Sequence, residues 1–179
     1  MPFGEIVCGS PGSGKSTYCH GKHQLLTALN RPVSIVNLDP ANDSLPYPCA
    51  IDVSSLITLQ DVMYEHGLGP NGGILYCMEY LAANYDWLEE RLMELGTDAY
   101  VVFDLPGQVE LSTNHDSLKT IVGKITQSGF RVRELLSFIG PADDRRPVGC
   151  CTPLRRPLCY RCVKIYLRPL TVPSHDAAP

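Results

Sequence analysis

The chain has 179 residues, of which 44% are apolar and 19% are charged, and this length and composition suit one globular domain with a sizeable core. A formal net charge of −4 argues against nucleic-acid binding as the main activity, and eight cysteines are too few for a secreted disulfide scaffold. The first residues do not resemble a signal peptide, and no apolar run approaches the ~18 residues of a transmembrane helix. We therefore expect a cytoplasmic protein with reduced thiols that binds neither nucleic acid nor a membrane directly.

The charge is distributed unevenly along the chain. Residues 1–130 carry six basic and fifteen acidic side chains, whereas residues 131–179 carry nine basic and four acidic ones. The second segment also holds seven of the fifteen prolines, which interrupt helices and central strands. We therefore place a boundary near Arg131 and expect residues 131–179 to form a poorly ordered tail rich in Pro, Arg and Cys.

Residues 1–130 show patterns of strands that alternate with helices. The predicted elements, in chain order, are a strand at 5–8, a helix at 15–29, a strand at 33–38, a short helix at 58–67, a helix at 74–95, a strand at 100–103 and a helix at 114–127. Thr58 and Asp61 have the spacing of a capping box at the start of the short helix. This alternation predicts a parallel α/β sheet with its site at the carboxyl ends of the strands.

A phosphate-binding loop is predicted between the first strand and the first helix. The run from Gly9 to Ser16 matches the pattern G-x-x-x-x-G-K-S. Glycines allow backbone N–H groups to close around phosphate oxygens, Lys15 would reach the β- and γ-phosphates, and Ser16 would offer its hydroxyl to Mg²⁺. The alternative is a glycine-rich turn with a solvated lysine, which the strand before and the helix after disfavour. The predicted nucleotide-binding residues are Gly12, Ser13, Gly14, Lys15, Ser16 and Thr17.

Acidic residues follow two further predicted strands. Asp39 and Asp104 should emerge at the same edge of the sheet as the phosphate loop. Asp104 is the expected direct or indirect Mg²⁺ ligand alongside Ser16, and Asp39 would hold a magnesium-bound water or orient the attacking water. The alternative for both is an ordinary turn acid, and it is stronger for Asp39, which precedes a proline.

The segment after Asp104 resembles a nucleotide switch. Asp104-Leu-Pro-Gly-Gln108 has the D-x-x-G pattern of GTPases, in which the glycine lets a backbone N–H reach the γ-phosphate. Gln108, with Glu110 as a second candidate, would position the attacking water. A small phosphoryl-transferring kinase is disfavoured by this switch and by the absence of an arginine-rich lid in residues 1–130.

Several further motifs accompany the phosphate loop. They are Ser16-Thr-Tyr-Cys19, Val36-Asn-Leu-Asp-Pro-Ala-Asn42, Leu68-Gly-Pro-Asn-Gly-Gly73, Tyr76-Cys-Met-Glu-Tyr80 and Asp104-Leu-Pro-Gly-Gln-Val-Glu110. Together they resemble the GPN-loop GTPases over about residues 3–130, and the run from Pro40 to Tyr47 is most similar to one paralogue of that family. The tripeptide Gly-Pro-Asn alone would be a weak signal, because it also suits a β-turn.

The resemblance implies a three-layer α/β P-loop NTPase fold of the signal-recognition-particle and MinD-like class, working as a GTPase with GTP and Mg²⁺. It implies a homodimer, or a heterodimer with other GPN-loop GTPases, in which Gly69, Pro70 and Asn71 reach the partner's nucleotide. Asn71 would then act on the phosphate intermediate in place of the lysine that related dimeric proteins have where this chain has Ser10. The resemblance also implies contact with RNA polymerase II subunits, a role in assembly and nuclear import of RNA polymerases II and III, and movement between cytoplasm and nucleus.

The family pattern ends near residue 131. The [N/T]-K-x-D motif that reads guanine in the family does not occur in this sequence. We therefore expect a truncated or aberrantly spliced form with an incomplete sheet and poor discrimination between guanine and adenine. The alternative to an active GTPase is a non-catalytic chain that retains phosphate binding only.

Two features of the tail allow other interpretations. Cys159 and Cys162 have the spacing of zinc ligands, but Cys150 and Cys151 are adjacent, which favours thiols without a metal. The arginine pairs at 145–146 and 155–156 suit a nucleic acid, an import receptor or, more simply, a solvated tail.

Overall fold

A single sheet organises the chain. The computed structural model describes residues 3–96, 98–107, 116–139 and 163–169. The strands within these residues are β1 (Phe3–Gly9), β2 (Val33–Asn37), β3 (Ile51–Asp52), β4 (Tyr100–Asp104), β5 (Arg131–Ile139) and β6 (Val163–Pro169). They lie in the order β3-β2-β4-β1-β5-β6, and all neighbours are parallel except β6, which runs antiparallel to β5. The parallel sheet predicted for residues 1–130 is therefore confirmed.

Helices connect the parallel strands. Those among the described residues are α1 (Lys15–Ala28), α2 (Leu59–His66), α3 (Pro70–Ala83), α4 (Tyr85–Glu94) and α5 (Asp116–Gln127), and a 3₁₀ turn covers Val53–Ser55. Thr58 caps α2 as predicted, because its hydroxyl accepts a hydrogen bond from the Asp61 N–H at 3.1 Å; the Asp61 carboxylate accepts from the Thr58 hydroxyl, not from the backbone N–H as in a full capping box. Gly67, with φ 62°, ends α2 in the left-handed conformation. None of the helices that the structure describes is long and apolar enough to cross a bilayer.

Neighbouring residues of the central strands pack into two separate apolar cores, as strand geometry requires. Ile6, Val36 and Phe103 belong to the larger core, together with residues of α3, α4 and α5. The adjacent residues on the same strands, Val7, Ile35 and Val102, lie on the opposite face of the sheet. There they form the smaller core with Cys19 of α1 and with Tyr47 from the segment after β2. The sheet thus lies between two helical layers, which confirms the predicted three-layer architecture.

The prediction of one helix over residues 74–95 is wrong. Two helices, α3 and α4, meet at Asn84, whose φ of −105° and ψ of 39° are not helical. The Asn84 side-chain amide donates to the Tyr80 carbonyl at 2.8 Å and so satisfies a group at the end of α3. Leu81 and Leu88, on either side of the break, are buried in the same core. The apolar periodicity therefore continues through the break and conceals it in the sequence.

The sheet does not end at the boundary predicted near Arg131. β5 begins at that residue and pairs in parallel with β1, from Phe3 opposite Arg131 to Gly9 opposite Ser137. The segment RVRELLSFI contains enough β-branched, leucine and aromatic residues for a strand, and its arginines obscured this pattern. Residues 163–169 form β6, and poor order in residues 140–162 and 170–179, which lie outside the described residues, stays a prediction. The cysteines of the tail, at 150, 151, 159 and 162, lie outside the described residues.

Candidate functional site

The predicted phosphate loop lies between β1 and α1. Gly12 and Gly14 have φ values of 73° and 85°, which side chains other than glycine rarely adopt. A turn closes the loop, since the Ser13 N–H donates to the Ser10 carbonyl at 3.1 Å. Gly14 precedes α1 without any side-chain cap, so the first N–H groups of the helix are available to an anion.

Lys15 lies between this loop and the segment that follows β4. Its side chain is 7% exposed, and its Nζ is 3.4 Å from the Ser10 carbonyl oxygen. Gly107 approaches so closely that a Cβ on it would lie 2.5 Å from the Lys15 Nζ and 2.9 Å from the Pro11 nitrogen. The D-x-x-G segment therefore packs directly on the phosphate loop, and the two predicted motifs form one site.

Asp104, at the end of β4, accepts two hydrogen bonds behind the loop. The Ser16 hydroxyl donates to its Oδ2 at 2.8 Å, and the Tyr47 hydroxyl donates to the same oxygen at 2.7 Å. Asp104 is 1% exposed, and its Oδ1 is buried with no hydrogen-bond partner among the described residues. Burial raises the pKa of the Asp104 carboxyl, although the bonds from Tyr47 and Ser16 and the charge of Lys15 lower it in part.

This arrangement fits Mg²⁺. A buried carboxylate oxygen without a partner is costly, and a cation bound there would offset that cost. Mg²⁺ is commonly held by one or two carboxylates together with the phosphates of a bound nucleotide, and the Ser16 hydroxyl lies beside Asp104 to complete such a set. Ser16 and Asp104 would therefore hold the ion.

Asp39 lies at the same edge of the sheet, two residues after β2. Its Oδ1 accepts from the Ala41 N–H at 3.0 Å, so it does form the turn that the alternative interpretation predicts. Burial raises the pKa of its carboxyl, and the positive charge of Lys15 opposes that shift. Asp39 thus has a local structural role, and its part in holding a magnesium-bound water or orienting the attacking water stays a prediction.

Asn37 fixes the turn that carries Asp39, a role that no local sequence pattern indicates. Its side chain, 1% exposed, donates to the Asp39 carbonyl at 3.2 Å and to Asp52 Oδ1 at 3.0 Å, and it accepts from the Asp39 N–H at 3.2 Å. The contacts of Tyr47 and Asn42 with the site are likewise not predictable from local sequence. Tyr47 donates to Asp104, and Asn42 donates to the Ser16 hydroxyl at 3.4 Å. Asn37 and Asn42 both lie in the Val36–Asn42 motif, but nothing in that motif identifies Asp52 and Ser16 as their partners.

The remaining predicted residues differ in how far the structure describes them. Gly69 is the N-cap of α3 and Pro70 its first residue, so the tripeptide starts a helix and is not a free β-turn. Gly69, Pro70 and Asn71 are exposed, and the Asn71 side chain makes no hydrogen bond to any described residue, those of the phosphate loop included. Thr17 is exposed in the first turn of α1. Gln108 and Glu110 lie outside the described residues.

A cavity of about 560 Å³ lies beside Asp39. Its acidic lining residues are Asp39, Asp43, Asp52 and Asp61. This concentration of carboxylates would repel a triphosphate. A triphosphate would therefore fit better on the side of the site formed by the loop glycines and Lys15.

Comparisons with known proteins find relatives that match most of this chain. A family model described as "Conserved hypothetical ATP binding protein" matches residues 7–136. The chain is 58% identical over 128 residues to GPN-loop GTPase QQT1 of Arabidopsis thaliana, covering 72% of this chain and 43% of that protein. It is 57% identical over 132 residues to GPN-loop GTPase 2 of Danio rerio, covering 74% of this chain and 42% of that protein.

A solved structure supports the fold. The crystal structure of a GTPase in apo form from Pyrococcus abyssi is similar with a TM-score of 0.56 and 33% identity, covering 64% of this chain and 46% of that chain. The chain thus spans less than half the length of these relatives. The similarity confirms the P-loop NTPase fold that the loop, the sheet and the three layers indicate. On its motifs, its fold and these relatives, the chain belongs to the GPN-loop GTPase family.

Proposed function

We propose that this chain binds GTP with Mg²⁺ at the phosphate loop and hydrolyses it. The observation that carries the proposal is the hydrogen bond of 2.8 Å between the Ser16 hydroxyl and Asp104 Oδ2, beside the nearly buried Lys15. This contact brings together a hydroxyl, a carboxylate and an ammonium from two sequence motifs that lie 88 residues apart. Such a combination suits a magnesium-bound triphosphate.

The chain's own residues divide the work. The backbone N–H groups of residues 12–17 would bind the phosphates, and Lys15 would carry its positive charge to the β- and γ-phosphates. Ser16 and Asp104 would hold Mg²⁺, which when bound neutralises the charge that develops on the phosphate oxygens. Asp39 would orient the attacking water or hold a magnesium-bound one, and Gln108 and Glu110 remain proposed for positioning that water.

GTP is proposed as the nucleotide because the curated relatives are named GTPases. The proposal includes weak selectivity, because the sequence lacks the [N/T]-K-x-D motif that would supply a carboxylate for the guanine N–H groups. A site without that acceptor has little reason to reject adenine. Competition of ATP against labelled GTP measures this selectivity, and a large preference for GTP would show that another residue reads the base.

We also propose that the protein works as a dimer, with Asn71 acting on the nucleotide of the neighbouring subunit. Support comes from the exposed start of α3, where no side chain caps the helix and no acidic residue lies in the first turn. A helix N-terminus of this kind attracts anions, and an amide donor there would stabilise charge that develops on phosphate. The partner would be a second copy of this chain or another GPN-loop GTPase.

Family membership supports a cellular role in assembly and nuclear import of RNA polymerase II, and of RNA polymerase III, in a protein that moves between cytoplasm and nucleus. The test is affinity purification of the tagged chain from cells with GTP or GDP present, followed by detection of RNA polymerase II subunits. Recovery that depends on the nucleotide is the expected result. Equal recovery by the chain and by a Lys15→Ala variant would contradict a nucleotide-controlled role.

The biochemical test uses the 179-residue chain with GTP in Mg²⁺ or in EDTA. Lys15→Ala should abolish binding, and Asp104→Ala should reduce turnover far more than it reduces folding. Lys119→Ala and Asp116→Ala are matched controls, because these residues form an exposed ion pair of 3.1 Å on α5. Binding without hydrolysis would favour the alternative of a non-catalytic chain, and equal binding by the parent and Lys15→Ala would refute the assignment of the phosphate site.

A further inference from the structure

The carboxylate of Asp104 is held through one oxygen only. The hydroxyls of Ser16 and Tyr47 both donate to Oδ2, at 2.8 Å and 2.7 Å, while Oδ1 is buried and has no partner among the described residues. Two donors on one oxygen fix the rotation of the carboxylate plane. The oxygen left over is therefore oriented before any ligand binds.

The position of the Tyr47 hydroxyl is set by the packing of its ring. Tyr47 is 5% exposed and packs with Val7, Ile35 and Val102, which come from three strands of the sheet, and with Cys19 of α1. Close packing on a sheet leaves an aromatic ring few alternatives. Tyr47 therefore positions the carboxylate, and the carboxylate does not determine where the ring lies.

The same segment of chain also contacts Ser16. Residues 38–50 connect β2 to β3, and within them Asn42 donates to the Ser16 hydroxyl at 3.4 Å, while Asp39 carries the acid near Lys15. This segment thus touches both side chains that would hold Mg²⁺. The packing of this segment on the sheet therefore also determines the geometry of the proposed metal site.

We propose that Tyr47 is a positioning residue for Mg²⁺: its hydroxyl turns the Asp104 carboxylate so that Oδ1 faces the ion. The proposal rests on the proposed function, because it presumes a magnesium-dependent nucleotide site. Removal of a hydrogen bond that orients a metal ligand commonly weakens metal affinity by about 10-fold to 100-fold. Since Asp104 keeps its bond to Ser16, we expect the lower end of that range, about 10-fold.

The opposite arrangement makes a different prediction. If the Tyr47 hydroxyl occupied a place that Mg²⁺ needs, removing it would strengthen Mg²⁺ binding. If Tyr47 served only the apolar core, removing its hydroxyl would change stability and leave the magnesium dependence as it is. The sign of the change therefore separates the three roles.

The experiment compares Tyr47→Phe with Tyr100→Phe in the full chain. Tyr100 is the matched control, because its hydroxyl also donates to a largely buried carboxylate, Glu5, at 2.8 Å, but away from Ser16 and Asp104. Binding of a fluorescent non-hydrolysable GTP analogue is measured across a Mg²⁺ titration that starts in EDTA, and thermal unfolding of the free protein confirms folding. In Tyr47→Phe the half-saturating Mg²⁺ concentration should rise about 10-fold, with affinity in EDTA unchanged and full affinity recovered at high Mg²⁺.

A second measurement uses Asp104→Asn as the background. Tyr47→Phe should have no further effect on the magnesium dependence there, because the group that it orients has lost its charge. A half-saturating Mg²⁺ concentration in Tyr47→Phe that equals that of the parent, or lies below it, overturns the role of Tyr47 but leaves the proposed function standing. A parent chain that binds the analogue without any Mg²⁺ dependence, or not at all, overturns both.

Discussion

Replacing Gly107 by alanine tests the contact between the D-x-x-G segment and the phosphate loop. The added Cβ would lie 2.9 Å from the Pro11 nitrogen and 3.0 Å from its Cα, whereas such atoms pack at about 3.5–4.0 Å. The Lys15 amine, at 2.5 Å, can move away, but the Pro11 backbone is held in the turn closed by Ser13 and Ser10. The two segments must therefore separate by about 0.5 Å.

Overpacking of this kind costs about 1–3 kcal/mol, which outweighs the smaller gain, about 0.4–1 kcal/mol, from stiffening the unfolded chain. Because Gly107 does not have a positive φ, the substitution tests steric contact and not backbone strain. We expect a lower free energy of unfolding in urea without nucleotide, and a midpoint lowered by roughly 0.5 M.

Gly123→Ala is the matched control. Gly123 lies within α5, and a Cβ there would meet nothing within 4 Å. Alanine should therefore stabilise the helix by up to about 1 kcal/mol. If Gly107→Ala proves as stable as Gly123→Ala, the segment after β4 does not pack on the phosphate loop as the structure has it.

Three further predictions concern other parts of the chain. Glu5→Ala should lower the free energy of unfolding in urea by about 3–5 kcal/mol, because Glu5 is 2% exposed, pairs with Lys22 at 3.1 Å and accepts two tyrosine hydroxyls; a loss below about 1 kcal/mol would contradict this. Asn71→Ala and Lys15→Ala should each be inactive alone, and mixing them should restore GTP hydrolysis if Asn71 acts across the dimer, whereas no recovery would exclude that arrangement. Burial raises the pKa of the Cys77 thiol to about 11, so iodoacetamide at pH 8 should leave Cys77 unlabelled in the native chain; rapid labelling in peptide mapping would show an open core.

The phosphate loop and Asp104 could be predicted because short, continuous stretches of sequence identify both of them. Gly9–Ser16 carries its own pattern, and Asp104 ends an apolar strand; parallel topology then requires both to lie at one edge of the sheet. Sequence reasoning works here because each motif needs only its flanking strand or helix. The Ser16–Asp104 contact follows from that topology without knowledge of any side-chain packing.

Tyr47 and Glu5 could not be predicted, because their roles exist only in tertiary structure. Tyr47 bonds a carboxylate 57 residues away, and Glu5 accepts from Tyr100, 95 residues away. Tyr47 lies in a proline-rich segment and Glu5 lies inside an apolar strand. Neither has a local sequence pattern that would identify its hydrogen-bond partner. The break at Asn84 was missed for a different reason, since burial on both sides keeps the apolar period intact.

The strand order has a consequence for how the chain acquires its structure. β1 is synthesised first, yet its neighbours in the sheet are β4, where Phe3 pairs with Tyr100, and β5, where Phe3 pairs with Arg131. β4 also separates β1 from β2, so the first two strands cannot join each other. Closing loops of this size is slow, and the apolar strands stay exposed until Tyr100–Asp104 has emerged from the ribosome. Asp104 emerges with that same strand, so a nucleotide bound beside Ser16 and Asp104 would stabilise the chain only after β4 has joined the sheet.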